Sequence, residues 1–247
     1  MVRFLSGAVI AVATLALFLL LPPTVLRVIT ILVAVLATYE YLSLARLSND
    51  TTSVALSSLF VALSCWILSS PGKPIKMILL CALAVLLFEV LVRAKSLADS
   101  STSVVAGLYI GVPLGMLVEL HQVGGISMAL FLIGTVAVSD VAQYYSGKLF
   151  GKHLLAPEIS PKKTIEGAIG GLLFGVGFVI LVGEHVFPFV KVALLIPMAL
   201  AIVLLGICGD LFQSRLKRSA GVKDSGTIIP GHGGLLDRID GIIFAIP

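Results

Sequence analysis

The feature that most constrains this chain is the recurrence of apolar runs about 20 residues long, the length an α-helix needs to cross the hydrocarbon core of a bilayer. Eight runs qualify, at approximately 4–21, 25–45, 53–70, 75–92, 103–120, 126–146, 167–187 and 190–210. Breakers separate them: Pro22-Pro23, Ser48-Asn49-Asp50, Pro71-Gly72, Ser100-Ser101, Gly124-Gly125 and Pro188. A further apolar stretch begins at Ile239 and reaches Pro247, a partial ninth. Only 12% of the 247 residues are charged, about half of what a water-covered surface carries. The expected fold is therefore all-α, a polytopic integral membrane protein forming one membrane domain. The run ending at Leu21 is longer than a signal-peptide core and lacks a small-residue cleavage motif, so it reads as a membrane helix.

Orientation follows from the basic residues. With the N-terminus in the cytoplasm, all but four of the 17 Lys and Arg fall on the inner face; the exceptions are Arg27, Lys73, Lys76 and Lys191. The net charge of +4 then reads as an orientation signal, and no nucleic-acid partner is expected. Polar material gathers in two cytoplasmic segments, 147–166 and 211–238. This one-sided distribution argues against a transporter, which would line both leaflets. Residues 1–120 read as N-terminal spans and 121–247 as the region that carries the chemistry. Cys65, Cys81 and Cys208 each sit in an apolar run without metal-like spacing and read as reduced packing residues. Gly167, Gly170, Gly171, Gly175 and Gly177 predict close helix packing in the seventh span.

Acids inside membrane spans are costly and mark function by default. Glu40, Glu89, Asp140 and Asp210 all lie toward the cytoplasmic ends of their spans. Glu40 and Glu89 are equally well explained by pairing with Arg46 or Arg93. Asp140 and Asp210 each lead into a polar segment, Asp210 at the expected end of its helix. After Asp210 come Ser214, Lys217, Arg218, Lys223 and Asp224, then the turn Pro230-Gly231-His232-Gly233-Gly234, then Asp237, Arg238 and Asp240. Carboxylates suit Mg²⁺, which takes one or two of them together with substrate phosphates. Lys and Arg neutralise phosphate, and glycines let backbone amides approach its oxygens. A basic juxtamembrane segment for anionic lipid heads explains Arg215, Lys217 and Arg218. It leaves the interleaved aspartates and the His-Gly-Gly turn unexplained. His232 serves either that turn or catalysis. In the first segment, Ser160-Pro161-Lys162-Lys163-Thr164 precedes an apolar helix. Pro161 would sit near the helix start with Ser160 or Thr164 as cap, making either an anion site or flanking charge. No Walker A pattern and no zinc-ligand spacing is present.

The run Ser214-Arg215-Leu216-Lys217-Arg218, then Lys223-Asp224, then Pro230 through Gly234 and on to Asp237-Arg238-Ile239-Asp240 resembles the signature of the phosphatidate cytidylyltransferase (CDP-diacylglycerol synthase) family. Phe150-Gly151-Lys152, Ser160 through Thr164, Glu166-Gly167 and Gly209-Asp210-Leu211 are similar to that family too. The resemblance covers about 139–240. It implies a nucleotidyltransferase that joins CTP and phosphatidate into CDP-diacylglycerol and pyrophosphate. The implied setting is a homodimer in the bacterial inner membrane with its active site open to the cytoplasm. It implies Mg²⁺, alone or with a second cation, held first by Asp210 and Asp237, with Asp240, Asp224 and Asp140 as further candidates. By motif position Lys217, Arg218, Lys223 and Arg238 would hold phosphates. Ser160, Lys162, Lys163 and Thr164 would bind nucleotide, with Ser214, Gly233 and Gly234 also contacting substrate. Three positions depart from the family. Asp140-Val141-Ala142-Gln143-Tyr144 stands where Asp-Thr-Gly-Ala-Tyr is common, Gln213 where a glutamate is common, and the sequence stops at Pro247 where relatives continue into a last helix. A CTP-dependent polyprenol kinase and a catalytically impaired lipid-binding scaffold are the alternative expectations.

Overall fold

A computed structural model describes residues 15–16, 18–70, 76–229 and 233–247. Most of the first expected span, and His232 within the glycine turn, lie outside the described residues. Among the described residues, five helices are long and apolar enough to cross a membrane: Pro23–Leu44, Thr51–Leu68, Leu97–Phe150, Ile165–Val186 and Val192–Ser219; a shorter apolar helix covers Met77–Val92. The expected spans 103–120 and 126–146 fall in one 54-residue helical stretch, interrupted at Gly125, whose φ of 71° and ψ of −179° leave the helical region. The chain divides into two compact units, one of residues 1–123 and 220–238, the other of 124–219 and 239–247. Residues 220–238 thus group with the N-terminal helices, although in sequence they follow those of the second unit.

In the first unit, α1 (Pro23–Leu44) starts on Pro22-Pro23, where a missing amide costs nothing. Helix α2 (Thr51–Leu68) is capped by Asp50, whose carboxylate accepts from the amides of Thr52 and Ser53 at 3.2 and 3.3 Å. Helix α3 (Lys76–Leu87) runs into a π-helical turn, Phe88–Val92. Helix α4 (Leu97–Ala106) passes through a second π-turn, Gly107–Gly111, into α5 (Val112–Phe150). A stripe of glycines at four-residue spacing lets α2 press against this stretch. A Cβ at Gly111 would lie 2.8 Å from the Val61 carbonyl oxygen, and one at Gly115 2.9 Å from Cys65 Cα. Sequence reading had not singled out these glycines. Glu89 is fully buried and accepts from Ser53 Oγ at 2.7 Å, with Arg93 Nη1 3.7 Å away. The expected Glu89–Arg93 pairing therefore holds, with serine as its nearer partner. Asp50 pairs with Arg93 and with Lys95. Those two cations, Lys95 foremost, hold its carboxyl well below the usual carboxylate range.

The second unit packs α6 (Ile165–Val186) and α7 (Val192–Ser219) around Phe131, Val179, Leu195 and Ala199. The glycine face of α6 behaves as expected. A Cβ at Gly167 would lie 2.8 Å from the Gln143 carbonyl oxygen, one at Gly170 2.1 Å from Ser146 Oγ, and one at Gly175 2.5 Å from Val203 Cγ2. Gly177 is the exception, with nothing within 4 Å. The polar segment 147–166 is not wholly loop. Helix α5 extends to Phe150, and a two-stranded antiparallel hairpin follows, β1 (Leu154–Ala156) and β2 (Ser160–Thr164), pairing Leu154 with Thr164 and Ala156 with Ser160. The architecture is α-helical with this one small addition of strand among the described residues. Residues 211–219, expected as loop, are helical, because α7 continues to Ser219. Asp210 accordingly sits within the helix instead of at its end. The last helix, α8 (Leu236–Ala245), begins earlier than the apolar stretch at Ile239 suggested.

Candidate active site

The β-hairpin shows why its motif has these residues. Thr164 ends β2 and caps α6, its hydroxyl accepting from the Gly167 amide at 3.1 Å. Of the caps considered, Thr164 is therefore the one used, and Ser160 and Pro161 lie in the strand. Glu166, in the first turn of α6, accepts from the amides of Lys152 and His153 at 3.1 and 3.2 Å and meets His153 Nδ1 at 2.6 Å. Gly151 has no room for a side chain, since a Cβ would lie 2.2 Å from the Gly147 carbonyl oxygen and 2.8 Å from Thr164 Cγ2. Gly151, Thr164, Glu166 and Gly167 thus form one joint between hairpin and helix. The joint directs Lys163 to an ion pair with Asp210 of α7, while Lys162 points outward and is exposed.

Asp140 of α5, Asp210 of α7 and Asp240 of α8 form a carboxylate group within the second unit. Asp210 lies in electrostatic range of both others, with Lys163 near Asp140 and Lys217 near Asp240. Glycine again permits the approach: a Cβ at Gly209 would lie 2.5 Å from the Asp240 carbonyl oxygen. Ser214 donates to Asp210 Oδ1 at 3.4 Å, one turn along α7, and Arg218 Nε reaches the Ile159 carbonyl oxygen of the hairpin at 3.4 Å. Gln143, one of the departures from the resembled pattern, donates to Asp140 Oδ1 at 3.1 Å and to Ser139 Oγ at 3.2 Å. Its Cγ fills the space over Gly171, where a Cβ would meet it at 2.4 Å. Position 143 therefore orients Asp140. Gln213, the other departure, is fully buried, so that change falls in packed interior. Among the described residues, no three His, Cys, Asp or Glu gather closely enough to hold a metal unaided. The donor set nevertheless fits Mg²⁺, a hard cation that takes few protein carboxylates and completes its shell with phosphate and water.

The segment 220–238 is organised differently, within the first unit. Asp237 Oδ2 accepts from the amides of Ser225 and Gly234 at 2.8 and 3.0 Å. Gly233 adopts φ +78° and bridges to Ile229, whose amide donates to its carbonyl at 3.0 Å. A Cβ at Gly233 would lie 2.8 Å from Asp237 Oδ2 and 3.2 Å from Asp224 Cβ, so glycine is required twice over. Lys223, Asp224 and Arg238 are exposed. The residue that sequence reading undervalued is Glu40. It does not rest on Arg46. It is 2% exposed and accepts from Ser225 Oγ at 2.8 Å and from the Leu235 and Leu236 amides at 2.9 Å each. Its intramembrane position was the available signal; its partner, more than 180 residues away, was not readable.

The family model described as "Cytidylyltransferase family" matches residues 1–247. The chain is 33% identical to a phosphatidate cytidylyltransferase of Staphylococcus haemolyticus over 97% of its own length and 94% of that protein. It is 30% identical to the phosphatidate cytidylyltransferase of Thermotoga maritima, covering 87% of this chain and 82% of the relative. A shorter match, 43% identity over 124 residues, links it to the Escherichia coli protein YnbB and spans 41% of that protein.

Proposed function

We propose that this chain, which belongs to the cytidylyltransferase family, transfers the cytidylyl group of CTP to phosphatidate, giving CDP-diacylglycerol and pyrophosphate. The observation that carries the reading is the gathering of Asp140, Asp210 and Asp240, from three helices, with Lys163 beside Asp140 and Asp210 and Lys217 beside Asp240, in a chain with relatives named phosphatidate cytidylyltransferase. A phosphate oxygen of phosphatidate attacks the α-phosphorus of CTP. The bond from that phosphorus to the bridging oxygen breaks, and pyrophosphate leaves with its electron pair. The attacking oxygen is anionic near neutral pH, so the work is positioning and charge neutralisation and needs no strong base.

In this reading Ser160, Lys162, Lys163 and Thr164 engage the nucleotide, and Ser214, Lys217 and Arg218 hold phosphate. Lys223, Asp224, His232, Gly233, Gly234 and Arg238 are assigned phosphate handling by motif position. Asp210 and Asp240, with Asp140 beside them, would hold Mg²⁺, alone or with a second cation; Asp237 is also a candidate ligand by motif position. Bound there, the metal would neutralise triphosphate charge. The proposal extends to a cytoplasmic N-terminus, eight spans with a partial ninth, a bacterial inner-membrane location with the site facing the cytoplasm, and a homodimer without nucleic acid. It also takes residues 121–247 as the catalytic region after N-terminal spans in 1–120.

The test is turnover by purified protein in detergent with CTP, phosphatidate and Mg²⁺. CDP-diacylglycerol and pyrophosphate should appear in equal amounts and stop on chelation. A phosphorylated polyprenol in a competition assay would instead identify a kinase. Phosphatidate binding with neither CTP binding nor product would identify a scaffold.

A further inference from the structure

We infer that Glu40 is a positioning residue that, from helix α1, latches Ser225 to Leu235 and Leu236 in the arrangement the site works in. Three donors converge on its buried carboxylate. Oε1 accepts the Leu235 amide, and Oε2 accepts both the Ser225 hydroxyl and the Leu236 amide. A buried carboxylate is costly unless its oxygens are satisfied, and here all the partners come from one segment. Leu235 precedes and Leu236 opens α8, where amides have no intrahelical acceptor and the helix end favours negative charge. The chain's own carboxylate therefore fills the anion-binding end of α8.

Two glycines make room for the latch. A Cβ at Gly226 would lie 2.7 Å from Glu40 Oε1, and one at Gly234 2.3 Å from Oε2. Ser225 links the latch to the motif acid, since its hydroxyl binds Glu40 while its amide binds Asp237. Glu40 and Asp237 thus each tie Ser225 to residues 234–236, and Asp224 and Asp237 both lie against Gly233. A residue outside the signature, on an N-terminal membrane helix, thus holds the signature residues that flank its glycine turn.

The inference rests on the proposed cytidylyl transfer for its kinetic readout, and a second readout stands apart from activity. In Glu40→Gln a side-chain NH₂ must face a backbone N–H whichever way the amide turns, so the latch opens without loss of volume. CDP-lipid formation should fall about 10- to 100-fold in kcat, the scale of a positioning error near 1 Å. The KM for CTP should change far less, and the detergent melting curve should be retained. Trypsin should cut at the exposed Lys223 faster than in the parent. Ser225→Ala, which removes one donor and leaves the fold intact, should show a smaller loss. The double variant should be no worse than Glu40→Gln alone, because both remove the same contact. Parent-like kcat and parent-like cleavage in both single variants would overturn the latch, as would losses that only track the folded fraction. If the parent protein itself makes no CDP-lipid, the functional reading fails, and the cleavage rate at Lys223 still decides whether the latch exists.

Discussion

The two polar segments differ in where the carboxylate that orders their backbone comes from. The hairpin segment, residues 151–164, is fastened by neighbours: Glu166 reaches Lys152 and His153 across 14 and 13 residues, and Thr164 caps the helix it leads into. The signature segment, residues 220–238, adds to its own Asp237 an acid 185 to 196 residues away along the chain. A locally fastened segment keeps its shape wherever its helix is stable. A remotely fastened one has its shape only when the first unit is folded. The difference suggests that damage to the hairpin should be graded, and damage to the latch abrupt.

Substitutions can break or sharpen this contrast. The largest effect is expected from Asp210→Asn, which removes the carboxylate paired with Lys163; CDP-lipid formation should fall about 10²- to 10³-fold, the range for losing one preorganised charge-stabilising group. Comparable turnover in the variant would take Asp210 out of the site. Next comes Glu40→Gln, with the kcat loss and faster Lys223 cleavage set out above. Thr164→Ala removes a helix cap, worth about 1 kcal/mol, together with one hydroxyl assigned to the nucleotide, so a lower melting temperature with activity reduced a few-fold is expected. Should Thr164→Ala match Glu40→Gln in kcat, the contrast between local and remote fastening disappears. The smallest effect concerns Asp50, a charged group whose partners belong to neither segment. Its carboxyl is held low by Lys95 and Arg93. Its stabilisation is therefore complete above the unfolded-chain value near 3.9 and is lost as pH falls toward the depressed folded value. The melting temperature should drop on acidification below about pH 4, and Asp50→Asn should flatten that part of the profile while leaving neutral-pH turnover largely intact.

Particular residues show where sequence reasoning reached and where it stopped. The glycine face of α6 was legible because its spacing repeats at helical period and small residues there have a packing meaning. The Thr164 cap was legible because capping is a matter of a few residues. The extension of α7 past Asp210 to Ser219 is not legible in the sequence, because polar residues at a membrane face are as compatible with helix as with loop. The hairpin was missed because Ser160-Pro161-Lys162-Lys163-Thr164 has little strand propensity; the Glu166 joint and the pairing to Leu154 supply what propensity lacks.

By itself, the sequence determined the solvent, the helical class, the gathering of acids and cations into two segments, and the family that this vocabulary resembles. All of these follow from hydropathy and short-range pattern. Only the tertiary structure decided which acids meet which partners. Asp210 and Asp240 come together because Gly209 lets α7 and α8 approach, and Gly241 of α8 lies against Val136 and Asp140 of α5. Glu40, which from sequence stood equal with Glu89, became the partner of the signature turn. The physical reason is that a buried carboxylate must find donors, and which donors reach it depends on helix packing across long sequence separations that no local pattern encodes.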